Sequence, residues 1–224
     1  MQIIGANAFE HRASPPPLEA GEIHLWYLTV RDADQSRNAA VKPARHLLGQ
    51  LLAFYAALDS PPVICREPYG KPRMQKPVDI EFNVSHSSRW ALLAFARGQP
   101  LGVDVECLDR RQRFEDIADR YFAPGEARDL HLLPASLRPA AFLALWTCKE
   151  AVVKALGTGL AFGLERLRFR LDDEGRPDAL VSIAADGGSV ADWQLLALAP
   201  APALLGALAW RGPPRHVRAM CWLA

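Results

Sequence analysis

The chain has 224 residues, half of them hydrophobic, which is enough to bury a core in one large domain or in two small halves. Its 26 Lys and Arg residues nearly balance 25 Asp and Glu residues, and this balance excludes a general electrostatic attraction to nucleic acid or to anionic lipid. The four cysteines form no Cys-x-x-Cys pair, which argues against a zinc ribbon or a disulfide framework. The first ten residues contain neither a basic leader nor a signal-peptide core, so we expect a cytoplasmic protein without membrane contact.

The apolar pattern predicts an α+β fold in which each half begins with a helix and continues with strands. In the first half we expect a loose lead-in over 11–17, a helix over 43–58, and strands over 22–30, 80–84, 90–96 and 101–106. In the second half we expect helices over 124–133 and 139–156, a cap at Gly157, and strands over 167–171, 180–184, 193–198 and 204–210. We assign the two halves to residues 1–106 and 107–224.

Two carboxylates share one face of the predicted strand 101–106. Because side chains alternate along a strand, Asp104 and Glu106 lie on the face of Gly102, with Cα atoms about 7 Å apart. An arbitrary Asp-x-Glu pair is more often the solvated face of an antiparallel strand than a functional site. Gly102 favours function slightly, since a glycine in a strand often marks the close approach of a ligand or of another backbone segment.

The predicted helix 139–156 presents Trp146, Glu150 and Lys154 on one side, at spacings of four residues. A Glu followed four residues later by a Lys is also the commonest surface ion pair on helices. The chain uses 21 Arg but only five Lys. Because lysine can tune its pKa and give up a proton, these lysines are candidates for a proton donor or a phosphate contact.

A hydroxyl-rich turn, which contains Ser85 and His86, follows the predicted strand 80–84. The two residues are adjacent, which is sterically awkward for a nucleophilic pair, and the chain has no Gly-x-Ser-x-Gly elbow; both features argue against a serine–histidine hydrolase triad. Serines in such turns either satisfy nearby backbone donors or hold an anion, and the pattern leaves both interpretations open.

Four motifs follow one another along the chain in a fixed order: Tyr-Gly-Lys-Pro at 69–72, Phe-Asn-Val-Ser-His-Ser at 82–87, Gly-Val-Asp-Val-Glu at 102–106 and Trp-Thr-Cys-Lys-Glu-Ala-Val-Val-Lys-Ala-Leu-Gly at 146–157. In this order they resemble the 4′-phosphopantetheinyl transferases of the surfactin-synthetase-activating type, over about residues 45–171. The resemblance implies two similar halves related by a pseudo-twofold axis, with coenzyme A in the cleft between them.

The same resemblance implies the roles of individual residues. Asp104, Glu106 and Glu150 would bind Mg²⁺, or alternatively Mn²⁺. Glu150 would be the general base, directly or through a water, and Lys154 would neutralise or protonate the leaving group. The coenzyme A contacts would come from Arg45, Lys71, Ser85, His86 and Lys154. Trp146 would pack beneath the site, and Lys149 would contact phosphate or solvent. Segment 31–42 matches the basic segment of many relatives poorly, so no residue is carried over from it.

The implied reaction transfers the phosphopantetheine arm from coenzyme A to a serine of an acyl or peptidyl carrier protein and releases 3′,5′-adenosine bisphosphate. Fatty-acid, polyketide and nonribosomal peptide synthesis are all open as the pathway. We expect a monomer whose carrier protein docks near 118–133, where Arg120 and Arg128 supply charge and Leu130, Leu132 and Leu133 are either contacts or core. Two alternatives are a non-catalytic binder of coenzyme A or carrier protein, and a metal-dependent nucleotide phosphodiesterase.

Overall fold

The computed structural model describes residues 1–30, 39–75, 78–109 and 114–222. Within them the α-helices are α1 (Val41–Tyr55), α2 (Phe114–Tyr121), α3 (Pro124–Leu132) and α4 (Arg138–Leu156). The strands are β1 (Gln2–Gly5), β2 (Glu10–Arg12), β3 (Glu22–Thr29), β4 (Ile64–Arg66), β5 (Pro72–Met74), β6 (Glu81–Ser87), β7 (Trp90–Ala96), β8 (Leu101–Cys107), β9 (Leu167–Leu171), β10 (Pro177–Ile183), β11 (Trp193–Ala199), β12 (Leu204–Arg211) and β13 (His216–Trp222). The predicted α+β class is confirmed.

Two larger sheets pack face to face, and each has a long helix on its outer side. One sheet has the strand order β1-β11-β12-β8, and the other has the order β2-β13-β3-β7-β6. Apolar side chains from both sheets, such as Leu25 and Val103, fill the space between them. The outer face of the five-stranded sheet packs on α1 through Leu51, and that of the four-stranded sheet packs on α4 through Val152. The result is a helix–sheet–sheet–helix arrangement.

The two ends of the chain lie in different sheets. β1 pairs in parallel with β11, and β13 pairs in parallel with β3. β8 pairs with β12 in antiparallel register, with Asp104 opposite Ala207. The division at residue 106 therefore separates strands that share a sheet, and it stays a prediction about the domains.

The long predicted elements agree with the structure more closely than the short ones. The helices over 124–133 and 139–156 correspond to α3 and α4, and Gly157 caps α4 in the left-handed conformation with φ 77°. The helix predicted over 43–58 begins two residues earlier and ends at Tyr55. The lead-in predicted over 11–17 is corrected, since β2 extends to Arg12. The pattern also missed β1, β4, β5, β13 and α2.

Among the described residues, the structure has no helix long and apolar enough to cross a membrane. Segment 31–38, which forms most of the divergent basic segment, lies outside the described residues.

Candidate functional site

Gly102 allows α4 to lie directly against β8. A Cβ atom at this position would come within 2.0 Å of the backbone oxygen of Ala151 and 2.5 Å of the backbone nitrogen of Ala155. No side chain fits in that space, so the helix and the strand meet backbone to backbone. The close approach expected at Gly102 is thus that of another backbone segment, and it brings the helix residues Glu150 and Lys154 to the strand carboxylates.

Asp104 and Lys154 form the centre of the site. The Lys154 Nζ donates to Asp104 Oδ1 at 2.7 Å and to the Val103 carbonyl at 3.2 Å. Ser85 Oγ donates to the same Asp104 oxygen at 2.7 Å. The second oxygen, Oδ2, is buried and finds no hydrogen-bond partner among the described residues. The interpretation of Asp104 as part of a solvated strand face is therefore wrong.

Glu150 lies one helical turn before Lys154 and is partly buried. Burial and repulsion from Asp104 raise the pKa of Glu150 to about 7, against a smaller opposing effect of Lys154. Glu106 contributes further to the rise. The three predicted metal ligands therefore feel one another's charge, and Glu150 can take up or release a proton near neutral pH.

The predicted metal ligands, Asp104, Glu106 and Glu150, can be judged by the arrangement and the chemistry of their side chains. Within the described parts of the chain, no three His, Cys, Asp or Glu side chains are close enough to hold a metal ion as they stand. The donor chemistry nevertheless fits a hard divalent cation, because all three groups are carboxylates and Asp104 Oδ2 is a buried oxygen without a partner. The metal assignment stays a prediction.

The turn predicted to contain Ser85 and His86 is corrected, since β6 extends to Ser87 and includes both residues. Their side chains, the predicted phosphate contacts, lie on opposite faces of the strand. Ser85 is buried and bonded to Asp104, whereas His86 is exposed. Partial burial, together with the nearby Lys154 ammonium, lowers the pKa of His86. The side chain of His86 is thus the one accessible to an anion, and the hydroxyl of Ser85 belongs to the carboxylate site.

Lys71, just before β5, and Arg45, on α1, lie on different elements. Lys71 Nζ donates to the carbonyls of Leu101 and Ala155 at 3.2 and 3.3 Å, at the point where β8 begins and α4 ends. Burial lowers the pKa of Lys71. Arg45 is exposed on α1, whose cap residue Ala40 donates its N–H to the carbonyl of Ser88, in the turn beyond His86. The roles of Lys71 and Arg45 in binding coenzyme A stay predictions.

Lys149 requires a correction, because it contacts neither phosphate nor solvent. Its side chain is fully buried and forms an ion pair with Glu126, likewise fully buried, at 2.7 Å. Nζ also donates to the carbonyls of Leu164 and Leu167. Lys149 therefore anchors α4 to α3 and to the segment that leads into β9. Trp146 stacks on Phe142 at 5.9 Å, in agreement with packing beneath the site.

The predicted carrier-docking leucines differ in their environments. Leu130 is core and Leu133 packs partly against it, whereas Leu132 is 78% exposed. Arg120 and Arg128 are both exposed. Of the three leucines, Leu132 is thus the one that offers an open apolar surface.

Sequence reasoning assigned no role to three residues that support the site or the helix that carries it: Asn83, Ser87 and Glu126. Asn83, Ser85 and Ser87 follow the strand period of two, and this period was the signal for a common direction. Glu126 occupies the third position of α3, where its Oε2 accepts the N–H of Ala123 at 3.0 Å. Its sequence signal is that of an ordinary helix start, and nothing in it indicates a partner on α4.

Comparisons with known proteins find similarity to one family of enzymes. The family model of the 4′-phosphopantetheinyl transferase superfamily matches residues 100–201. The chain is 33% identical over 152 residues to 4′-phosphopantetheinyl transferase psf-1 of Bacillus pumilus, an alignment that covers 65% of this chain and 64% of that protein.

Two further relatives bear the same name. The chain is 37% identical over 107 residues to a 4′-phosphopantetheinyl transferase of Bacillus subtilis, covering 48% of this chain and 46% of that protein. It is 36% identical over 131 residues to 4′-phosphopantetheinyl transferase HetI of a Nostoc species, covering 58% and 52%. The matched region thus spans about half to two thirds of these curated relatives. The region matched by the family model, residues 100–201, includes Asp104, Glu106, Glu150 and Lys154, and over this region the chain is similar to the 4′-phosphopantetheinyl transferase superfamily.

Proposed function

We propose that this chain transfers the 4′-phosphopantetheine arm of coenzyme A to a serine hydroxyl of an acyl or peptidyl carrier protein, with release of 3′,5′-adenosine bisphosphate. The observation that supports this most directly is the convergence of Glu150 and Lys154 of α4 on Asp104 of β8, enforced by Gly102. The relatives carry the same activity in their names.

In the proposed site, Asp104, Glu106 and Glu150 would hold a divalent cation, Mg²⁺ or Mn²⁺. Such an ion neutralises charge on a diphosphate and makes its phosphorus more open to attack. The buried, unpartnered Asp104 Oδ2 supports this assignment, since an oxygen in that state is costly unless a ligand satisfies it.

The reaction needs a base, because the carrier serine must lose a proton as its oxygen bonds to the phosphorus of the phosphopantetheine. Glu150 is the carboxylate of α4 that lies beside Asp104, and in the metal-free chain burial and repulsion from Asp104 raise its pKa to about 7. We assign the role of base to it on this position in the site. The bond that breaks joins this phosphorus to the bridging oxygen, and the electron pair leaves with the adenosine bisphosphate. Glu150 takes the serine proton, directly or through a water.

Lys154 lies where charge develops on the leaving group. Its ammonium, 2.7 Å from Asp104 Oδ1, is one quarter exposed and has three protons to donate. It can therefore turn from the carboxylate to a phosphate oxygen without leaving the site. Lys71, His86 and Arg45 would extend the positive surface along the nucleotide.

The proposed site has two halves, related by a pseudo-twofold axis, with the nucleotide between them. The carrier protein would dock beside α2 and α3, where Arg120, Arg128 and Leu132 are exposed. A typically acidic helical partner suits this combination of charge and apolar area. The pathway it serves is open among fatty-acid, polyketide and nonribosomal peptide synthesis.

One assay tests the proposal. The protein is mixed with coenzyme A, Mg²⁺ and an apo carrier protein, and the carrier is weighed by mass spectrometry, with Glu150→Gln as the matched control. We expect the parent to add one phosphopantetheine arm and the variant to add almost none. Adenosine bisphosphate without carrier labelling would indicate a nucleotide phosphodiesterase, and neither product would indicate a binder; both results contradict the proposal.

A further inference from the structure

Two edge strands from different sheets meet beside the site. β6 is the last strand of the five-stranded sheet, and β8 is the last strand of the four-stranded sheet. Asn83 Oδ1, Ser85 Oγ and Ser87 Oγ of β6 accept the N–H groups of Val103, Val105 and Cys107 at 2.9, 3.3 and 3.2 Å. Within a sheet, backbone carbonyls accept the N–H groups of the neighbouring strand; here side-chain oxygens of β6 accept them instead. We call these three side chains of β6 the polar seam.

The two serines of the polar seam make a second bond that Asn83 does not share. Ser85 Oγ donates to Asp104 Oδ1 at 2.7 Å, and Ser87 Oγ donates to Glu106 Oε2 at 2.9 Å. Each hydroxyl thus caps one strand N–H and holds the carboxylate of the residue just before it. The residue before Val103 is Gly102, which has no carboxylate, so Asn83 caps only the strand.

This geometry fixes where the hydroxyl protons go. A serine has one proton to donate, and its oxygen already accepts a strand N–H, so the proton is directed at the carboxylate. Both serines are buried, at 7% and 6% exposure, which limits competition from water. A hydrogen bond to one carboxylate oxygen sets the orientation of the group. At Asp104 the other oxygen, Oδ2, is buried and has no hydrogen-bond partner among the described residues.

We propose that Ser85 and Ser87 are positioning residues that orient Asp104 and Glu106 for the divalent cation, with Ser87 the one that has no other part in the site. The inference rests on the proposed function, because it assigns the cation to these carboxylates. It also explains the spacing of the two serines. Ser85 and Ser87 are two residues apart on β6, which matches the two-residue spacing of the carboxylates on β8.

The test measures Mn²⁺ affinity at 25 °C by isothermal titration calorimetry, and thermal unfolding in EDTA, for the full chain with and without coenzyme A. We expect Ser87→Ala to raise the Mn²⁺ dissociation constant by about 10-fold, and Ser85→Ala by a similar factor. Asn83→Ala is the matched control from the same seam. We expect it to lower the unfolding midpoint and to change the Mn²⁺ dissociation constant by less than about twofold, because it caps the strand without touching a carboxylate.

Ser182→Ala, an exposed serine on β10, controls for the loss of a hydroxyl elsewhere and should change neither quantity. Unchanged Mn²⁺ affinity in both serine variants, or an equal loss in Asn83→Ala, would overturn the proposal in favour of a purely structural seam. If the parent itself binds no Mn²⁺ under either condition, the metal assignment fails and the positioning role fails with it. If the parent binds Mn²⁺ but labels no carrier, the proposed transfer fails while the role of the seam stands.

Discussion

Two lysines of α4 pair with carboxylates in opposite ways. Lys149 and Glu126 are both fully buried, and each charged atom has its partners: Lys149 reaches two carbonyls, and Glu126 accepts the N–H groups of Ala123 and Phe169. Lys154 is 25% exposed, and one oxygen of its partner Asp104 is buried and has no hydrogen-bond partner in the part of the chain that the structure describes. The first pair is saturated and closed to ligands. The second is incomplete, which is the state expected of a group that waits for a ligand.

The difference separates stability from function on a single helix. A saturated buried pair connects α4 to its neighbours, and breaking it should mainly cost stability. An unsaturated pair at the edge of the sheet lowers the stability of the ligand-free chain. A ligand that binds to the unsatisfied oxygen restores this stability. Variants of each pair should therefore differ in kind as well as in size.

The largest expected effect is on the Asp104–Lys154 pair, which we call the open pair. Asp104→Asn keeps the shape of the side chain but removes its charge, so transfer to an apo carrier protein should fall on the order of 10³-fold. The unfolding midpoint should change by only a few degrees, because Lys154 is exposed enough to reach water. Turnover by mass spectrometry, with a thermal unfolding curve as the control, checks this. Parent-level transfer would show that Asp104 has no part in the chemistry.

Breaking the Lys149–Glu126 pair, which we call the closed pair, should lower stability rather than transfer activity. Lys149→Met leaves Glu126 buried without its counter-charge and should lower the free energy of unfolding by about 3–5 kcal/mol. The double variant Lys149→Met with Glu126→Gln should recover part of this loss, since no unpaired charge remains. Urea unfolding measures both. A loss of transfer without a loss of stability in Lys149→Met would contradict the division of roles between the two lysines.

The sequence predicted both residues of the open pair as members of the site, though not their ion pair, and missed the closed pair for a physical reason. Asp104, Glu150 and Lys154 were found because strand and helix periods fix their faces and their motifs resemble a known family. The partner of Lys149 lies on another helix, and no local pattern encodes a tertiary contact between α3 and α4. For the same reason Lys149 was assigned to phosphate or solvent.

The fold shows a similar division. Long periodic segments such as α4 were predicted within one residue at the N-terminus and exactly where Gly157 ends them, because many buried positions repeat. β2 has three exposed residues, and the alternation that begins β13 at His216 is broken by the apolar residues Met220 and Trp222, so their strand character depends on pairing with distant segments. The meeting of β6 and β8, which builds the polar seam, was equally out of reach of local reasoning.

The smallest expected effect is a pH-dependent loss of stability caused by Glu150 in the open site. Burial and the repulsion by Asp104 raise the pKa of Glu150 from 4.5 to about 7, so between these values the folded chain holds a proton that the unfolded chain has lost. Stability from this group is therefore present below pH 4.5 and is lost as pH rises through about 7.

Glu150→Gln removes this titration and should be more stable than the parent at pH 8 in EDTA, by about 1–3 kcal/mol, with little difference at pH 5. Urea unfolding at the two pH values measures the difference, and Glu165→Gln, which changes an exposed carboxylate outside the site, is the matched control. If the difference in the free energy of unfolding between Glu150→Gln and the parent stays constant with pH, then the ionised Glu150 carboxylate does not destabilise the folded chain. A gap that widens with pH, and closes when Mn²⁺ stabilises only the parent, would show that the same carboxylate cluster destabilises the free chain and binds the cation.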